Sequence, residues 1–151
     1  MNSLLLLAGR ISLAMIFLFS GMNKVSNFGS TVEKMTLVGV PMPSRLLPLA
    51  IMFLLVGSLS LLVGFRVKIG AALLAVFLVL ATGYFHNFWE VEEAARQMQQ
   101  IQFMKNLSIL GGLLGIAAAG PGPISVDGLL GRTGPPDVSN FDVIKAAGRK
   151  S

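Results

Sequence analysis

Four apolar stretches divide this chain, and its polar residues gather where they end. Ser3–Met22, Leu46–Gly64, Ile69–Phe85 and Ile101–Ala119 are each 17 to 20 residues long and carry almost no charge. A helix needs about 20 mostly apolar residues to cross the hydrocarbon layer, and in lipid every backbone polar group must be satisfied within the fold. The pattern therefore predicts an all-α protein, an integral membrane four-helix bundle. "PMPS" precedes the second stretch, placing Ser44 to cap that helix and Pro48 near its first turn. "GPGP" at 120–123 stops the fourth. The first stretch is not built as a cleaved leader: no cationic region precedes Leu4, and Arg10 lies inside the apolar run.

The connections differ in character. Residues 23–45 mix Val32, Met35 and Val38–Val40 with Lys24, Glu33 and Lys34, the composition of an interfacial or partly re-entrant segment. "FRVK" at 65–68 is a tight basic turn. Between the third and fourth spans, Val91, Ala94, Ala95, Met98 and Ile101 recur on a helical period, with Glu92 and Arg96 spaced i,i+4 on another side. That predicts a short interfacial amphipathic helix along the membrane surface. Gly111, Gly115 and Ala119, and Ala71 with Ala75, are spaced to let helices approach closely in lipid; a homo-oligomer is compatible with such faces. The chain thus divides into a four-span domain, 1–127, and a flexible basic tail, 128–151, with a short helix near 141–147.

Composition sharpens the picture. Hydrophobic residues make up 54% of the chain and charged ones 13%, with a mean hydropathy of +0.75; soluble domains carry about 25% charged residues. The net charge of +5 suits anionic lipid headgroups, and the basic residues form no aromatic-interleaved stripe for nucleic acid. An N-in, C-in arrangement puts Arg66, Lys68, Arg132, Lys145, Arg149 and Lys150 inside, and Lys24, Lys34, Arg45, Arg96 and Lys105 outside. There is no cysteine and a single histidine, which removes thiolate, iron–sulfur and bis-His haem chemistry from one chain. Any redox work must use electrons that something else carries.

Arg10, Lys24, His86, Trp89, Lys105 and Asn106 are the candidates for chemistry. Arg10 shares one helix face with Leu13, Phe17, Gly21 and Lys24, roughly 10 Å into the first span. It either reaches headgroups or faces the bundle interior, holding an anionic or carbonyl-bearing group. His86, Glu90 and Glu93 fall at i, i+4 and i+7, which a continuing helix would turn into a metal site. Alternatively His86 stands at the lip of a cavity as a proton donor, or with Trp89 in an ordinary aromatic belt. Lys105 either serves a site or extends to the interface. Asn106 carries an amide that in lipid needs a partner on a neighbouring helix or a ligand, and Arg45 is read as a headgroup anchor.

"RISLAMIFLFSGMNK" (10–24), "VGVPMP" (38–43), "GFRVKIGAALL" (64–74) and "FHNFWE…QFMKNLSILGGLLGIAAAGPGPISVD" (85–127), in that order, resemble the DoxX family of small bacterial membrane proteins. The resemblance implies a multi-pass protein of the cytoplasmic membrane attached to oxidoreductase systems, either thiosulfate:quinone oxidoreductase or complexes handling oxidative stress. The first functional reading is a quinone-facing subunit: a quinone held non-covalently, with His86 as proton donor, Arg10, Lys24, Lys105 and Asn106 able to supply further donors and Trp89 in the wall. A partner protein would carry the redox centre, with membrane lipids as the surroundings. The second helix departs from the family's pattern: where a glutamate is common, this chain has Leu54. A non-catalytic accessory subunit that stabilises or localises a larger complex is the alternative.

Overall fold

In the computed structural model, which describes residues 2–132, each apolar stretch becomes a long helix. The order is α1 (Asn2–Ser26), α2 (Phe28–Leu37), α3 (Pro43–Val63), α4 (Val67–Phe85), α5 (Glu93–Ala119) and α6 (Val126–Leu129). Helices α1, α3, α4 and α5 are long and apolar enough to cross a membrane. They run alternately up and down: α1 packs on α3, α3 on α4 and α4 on α5, while α5 touches α1 more lightly. Ala14, Phe17, Leu54, Leu61, Ala71, Leu74, Leu113 and Ile116 fill the centre. Outward faces stay apolar, as at Ile16, Met52, Val79 and Leu114, because a bundle in lipid has no reason to present polar residues there.

Two connections are more ordered than their composition suggests. Residues 28–37 form α2, whose Met35 is buried with Val40 and Leu47 in a second small core under the ends of the spans. The expected interfacial helix between the third and fourth spans is not a separate element. Residues 93–100 are the first turns of α5, continuous with the fourth span. Nothing between Glu93 and Ile101 breaks a helix, so one 27-residue helix forms, and its amphipathic turns simply extend beyond the apolar segment. The ion pair there is also different: Arg96 meets Glu93 at 2.7 Å, one residue nearer than the expected Glu92. Ser44 does not cap α3, which starts at Pro43 behind Met42 in the left-handed region. The expected 127/128 boundary falls within α6, and the remainder of the tail, with its expected helix near 141–147, lies outside the described residues.

The close packing uses other glycines than the motif suggested. A Cβ on Gly111 or Gly115 would meet nothing within 4 Å. At Gly57, however, it would lie 2.6 Å from Leu74 Cγ and 3.0 Å from the Gly70 carbonyl oxygen, and at Gly70 it would lie 2.6 Å from Ser60 Cβ. The α3–α4 contact is where backbones meet. On α5, Gly111 and Gly115 face outward, while Gly112 stands against Leu13 and Ala117 packs on the core.

Candidate functional site

The alternating helices give the bundle two dissimilar ends. At one end α1 begins, α3 stops, α4 starts and α5 stops; this end is closed by the chain itself. The segment after Gly120 folds back so that Arg10, only 1% exposed, donates to the Pro121 and Ile124 carbonyl oxygens, the latter at 2.8 Å. Asp127 completes the closure. Its carboxylate accepts from the Arg66 N–H at 2.7 Å, its own N–H donates to the Gly64 carbonyl at 3.1 Å, and Arg132 stands 3.7 Å away. Gly64 has φ +73°, and a Cβ there would lie 2.4 Å from that of Ser125, so only glycine permits the fold-back. Ser125 in turn accepts from the Gly128 N–H, the usual cap for so short a helix. "GPGPISVD" is therefore a clamp as well as a helix stop. The serine and aspartate at fixed distance after a Gly-Pro pair were the signal for it in the sequence.

At the opposite end α1 stops, α2 folds under, α3 starts and α4 stops, leaving a cavity of about 500 Å³. Phe17, Phe53, Phe77 and Leu78 form its apolar wall. Its rim includes Ile16, Leu49 and Leu80, which are 48%, 44% and 57% exposed on the outside of the bundle. A ligand can therefore enter from the lipid. The polar lining is supplied by Ser20, Asn23 and Lys24 of α1, Thr31 and Lys34 of α2, Tyr84, His86 and Asn106.

Each of these side chains has a local reason to be there. Asn106 is the amide that needed a partner: it donates to the Thr82 hydroxyl at 2.9 Å, and Thr82 donates on to the Leu78 carbonyl at 2.6 Å. His86 is the residue that ends α4, its N–H on the Thr82 carbonyl, and its Nδ1 is 2.8 Å from Gln99 Oε1 of α5. Lys24 is half-buried, donating to Ser20 Oγ at 2.9 Å with its ammonium 5.7 Å from the centre of the Phe77 ring.

Three of the expected site residues, Lys24, His86 and Asn106, thus line one cavity. The other three lie elsewhere. Arg10 faces the interior, as one of its two readings required, but the carbonyls it holds are the chain's own, at the closed end. Trp89 is 57% exposed and packs edge-on against Phe88 at 5.1 Å and Phe103 at 6.0 Å. Lys105 lies on the outer side of α5 in a shallow groove with Met104 and Ser108. The metal face of His86, Glu90 and Glu93 does not form: α4 ends at Phe85, Glu90 is hydrogen-bonded by Asn87, and Glu93 opens α5. Lys34 and Tyr84 join the site without having been expected.

A four-span bundle that is open to lipid at one end and clamped at the other is a small multi-pass membrane protein. The chain belongs to the DoxX family, whose model matches residues 5–87. It is 35% identical over 124 residues to inner membrane protein YphA of Escherichia coli, covering 82% of this chain and 88% of that one. Identity to inner membrane protein YqjF of the same organism is also 35%, over 83% of this chain and 92% of the relative. A shorter match, 40% identical over 67 residues, is to a Surfeit locus protein 4 homolog of Schizosaccharomyces pombe; it covers 43% of this chain and 22% of that protein. No solved structure matches. With four apolar spans and these relatives, the chain is a multi-pass protein of the bacterial inner membrane.

Proposed function

We propose that this chain is the quinone-facing membrane subunit of an oxidoreductase system whose redox centre sits on a partner protein. The observation that supports this reading is the cavity: apolar along its length, reachable from lipid, and polar at one end only. A ring with a long apolar tail needs that arrangement, with a few donors to orient it. A bound quinone would take up two electrons from the partner and two protons. His86 is the group to relay a proton: with its Nδ1–H donated to Gln99, Nε2 is left to take a proton from water and pass it to a ligand. Asn106, fixed by Thr82, keeps one amide hydrogen for a carbonyl. Lipids surround the subunit on its apolar faces, and the N-in, C-in orientation would put the open end on the outer side.

The test is purification of the tagged protein from its native membrane in mild detergent, with identification of co-purifying proteins and of solvent-extracted quinone. We expect a stoichiometric partner carrying flavin, haem or metal. In that complex, His86→Gln should lower quinone reduction at least about tenfold while leaving the assembly intact. Asn106→Leu should raise the quinone KM with little change in kcat, because it removes binding present before and during reaction. Unchanged rates in both variants would defeat the quinone reading. They would instead support an accessory subunit that stabilises the complex, which the apolar Leu54, fully buried where relatives often have an acid, already favours.

A further inference from the structure

The charges around the cavity are of one sign. Lys24 and Lys34 both line it, and among the described residues no carboxylate does. The two ion pairs of the described residues, Arg96–Glu93 and Arg132–Asp127, involve neither lysine. Glu33 is adjacent to Lys34 in sequence but does not line the cavity. Lys24 has as its company a serine hydroxyl, an aromatic face and the partial negative charge of the α1 C-terminus. None of these is a full anion. An ammonium at the end of an apolar cavity, under low-dielectric walls, attracts an opposite charge far more strongly than it would in water.

Neutral ring carbonyls would be satisfied by the Tyr84 hydroxyl and the Asn106 amide alone. Two lysines beside them are more than a neutral ligand requires. From this imbalance we infer that the cavity is selective for an amphiphile with an ionised oxygen at its head and an apolar body: an acidic hydroxyquinone or phenolate, or a long-chain carboxylate. Lys24 contacts the head inside the cavity, and Lys34, exposed on α2 at the mouth, draws it in. The inference uses the same cavity as the quinone reading but does not depend on electron transfer.

Matched pairs of probes test it on the full-length protein in nanodiscs of zwitterionic lipid. The aliphatic pair is a C12 carboxylate against its methyl ester; the ring pair is an alkyl hydroxyquinone, ionised at pH 7.5, against its O-methyl ether. Calorimetry or competition should give the anion of at least one pair an advantage of about tenfold or more. Lys24→Gln should reduce that advantage to about threefold or less, and Lys34→Gln should lower it by a smaller factor and slow association. Lys24→Arg, which keeps the charge, should retain most of it. Preference within the aliphatic pair alone assigns lipid-derived acids as the source, and preference within the ring pair alone assigns acidic quinones; either supports the inference. Equal binding of acid and neutral partner in both pairs overturns it, as does a preference that survives Lys24→Gln and Lys34→Gln together. Because Lys34 is exposed and off the spans, its variant remains informative if Lys24→Gln fails to fold. Should neutral quinones bind and be reduced while no anion preference exists, the quinone reading stands and this one falls; anion preference without quinone reduction is the converse.

Discussion

Replacing Arg10 with methionine is expected to lower the stability of the bundle by about 3 kcal/mol. The side chain is 1% exposed, and both terminal nitrogens are spent on backbone carbonyls more than 100 residues away in sequence. Methionine fills much of the same volume, so the loss is electrostatic: the part-buried carbonyls of Pro121 and Ile124 would lose their charged donor. Charge-assisted hydrogen bonds of this kind contribute about 1.5–3 kcal/mol each. Loss of the cation's own burial cost offsets part of that. Arg10→Lys should recover only part of the loss, since an ammonium cannot reproduce the planar fork that spans two carbonyls. The measurement is SDS-titrated unfolding in mixed micelles, followed by far-UV circular dichroism. Asp127 holds the same fold-back from its other side, so a double variant of Arg10→Met with Asp127→Asn should lose less than the sum of the two singles. An Arg10→Met protein within about 0.5 kcal/mol of the parent, the scatter of ordinary surface substitutions, would show that water satisfies those carbonyls and that the closed end is not a clamp.

The helices were legible because lipid leaves them no alternative: four apolar runs of the right length can only be spans. Their edges were less so. The surface period of residues 91–101 and the apolar period of the fourth span are the same 3.6-residue period, and no residue between them terminates a helix, so the sequence pattern could not tell one helix from two. Asn106 was legible for a local reason, that an amide in an apolar helix must find a partner, and Thr82 is that partner. Arg10 was ambiguous because its partners are backbone carbonyls, which every residue has; only the fold-back of 121–127 identifies them. Lys34 reaches the cavity because α2 tucks beneath the spans against Leu47, and Tyr84 lines it from the last turn of α4; both are tertiary placements with no short-range signature. Gly111 and Gly115 show the limit of spacing motifs. The i,i+4 spacing says that a close approach is allowed, but not which face of the helix another helix will use.

That limit yields the second large effect. Gly57→Val is expected to destabilise the bundle by about 3 kcal/mol, at the upper end of the cost of overpacking, whereas Gly111→Val and Gly115→Val should each remain within about 0.5 kcal/mol of the parent. At Gly57 the new Cβ would stand 2.6 Å from Leu74 Cγ and 3.0 Å from the Gly70 carbonyl. Leu74 is fully buried and cannot swing away, and the carbonyl belongs to the backbone of α4. Relief therefore requires α3 and α4 to separate along their shared face. Gly111 and Gly115 have nothing within 4 Å to strike, and valine has a slightly higher helix propensity than glycine. The same unfolding assay ranks the three variants. The consequence extends to the site, because α3 and α4 contribute Phe53, Phe77 and Leu78 to the cavity wall. Gly57→Ala, which adds a Cβ but no branches, should fold with an intermediate loss and bind cavity ligands more weakly, since a wall that has moved no longer fits the head groups that Lys24, His86 and Asn106 position. If Gly57→Ala lost stability but kept its ligand affinity, the positions of Phe53, Phe77 and Leu78 in the cavity wall would have to be independent of the α3–α4 contact at Gly57.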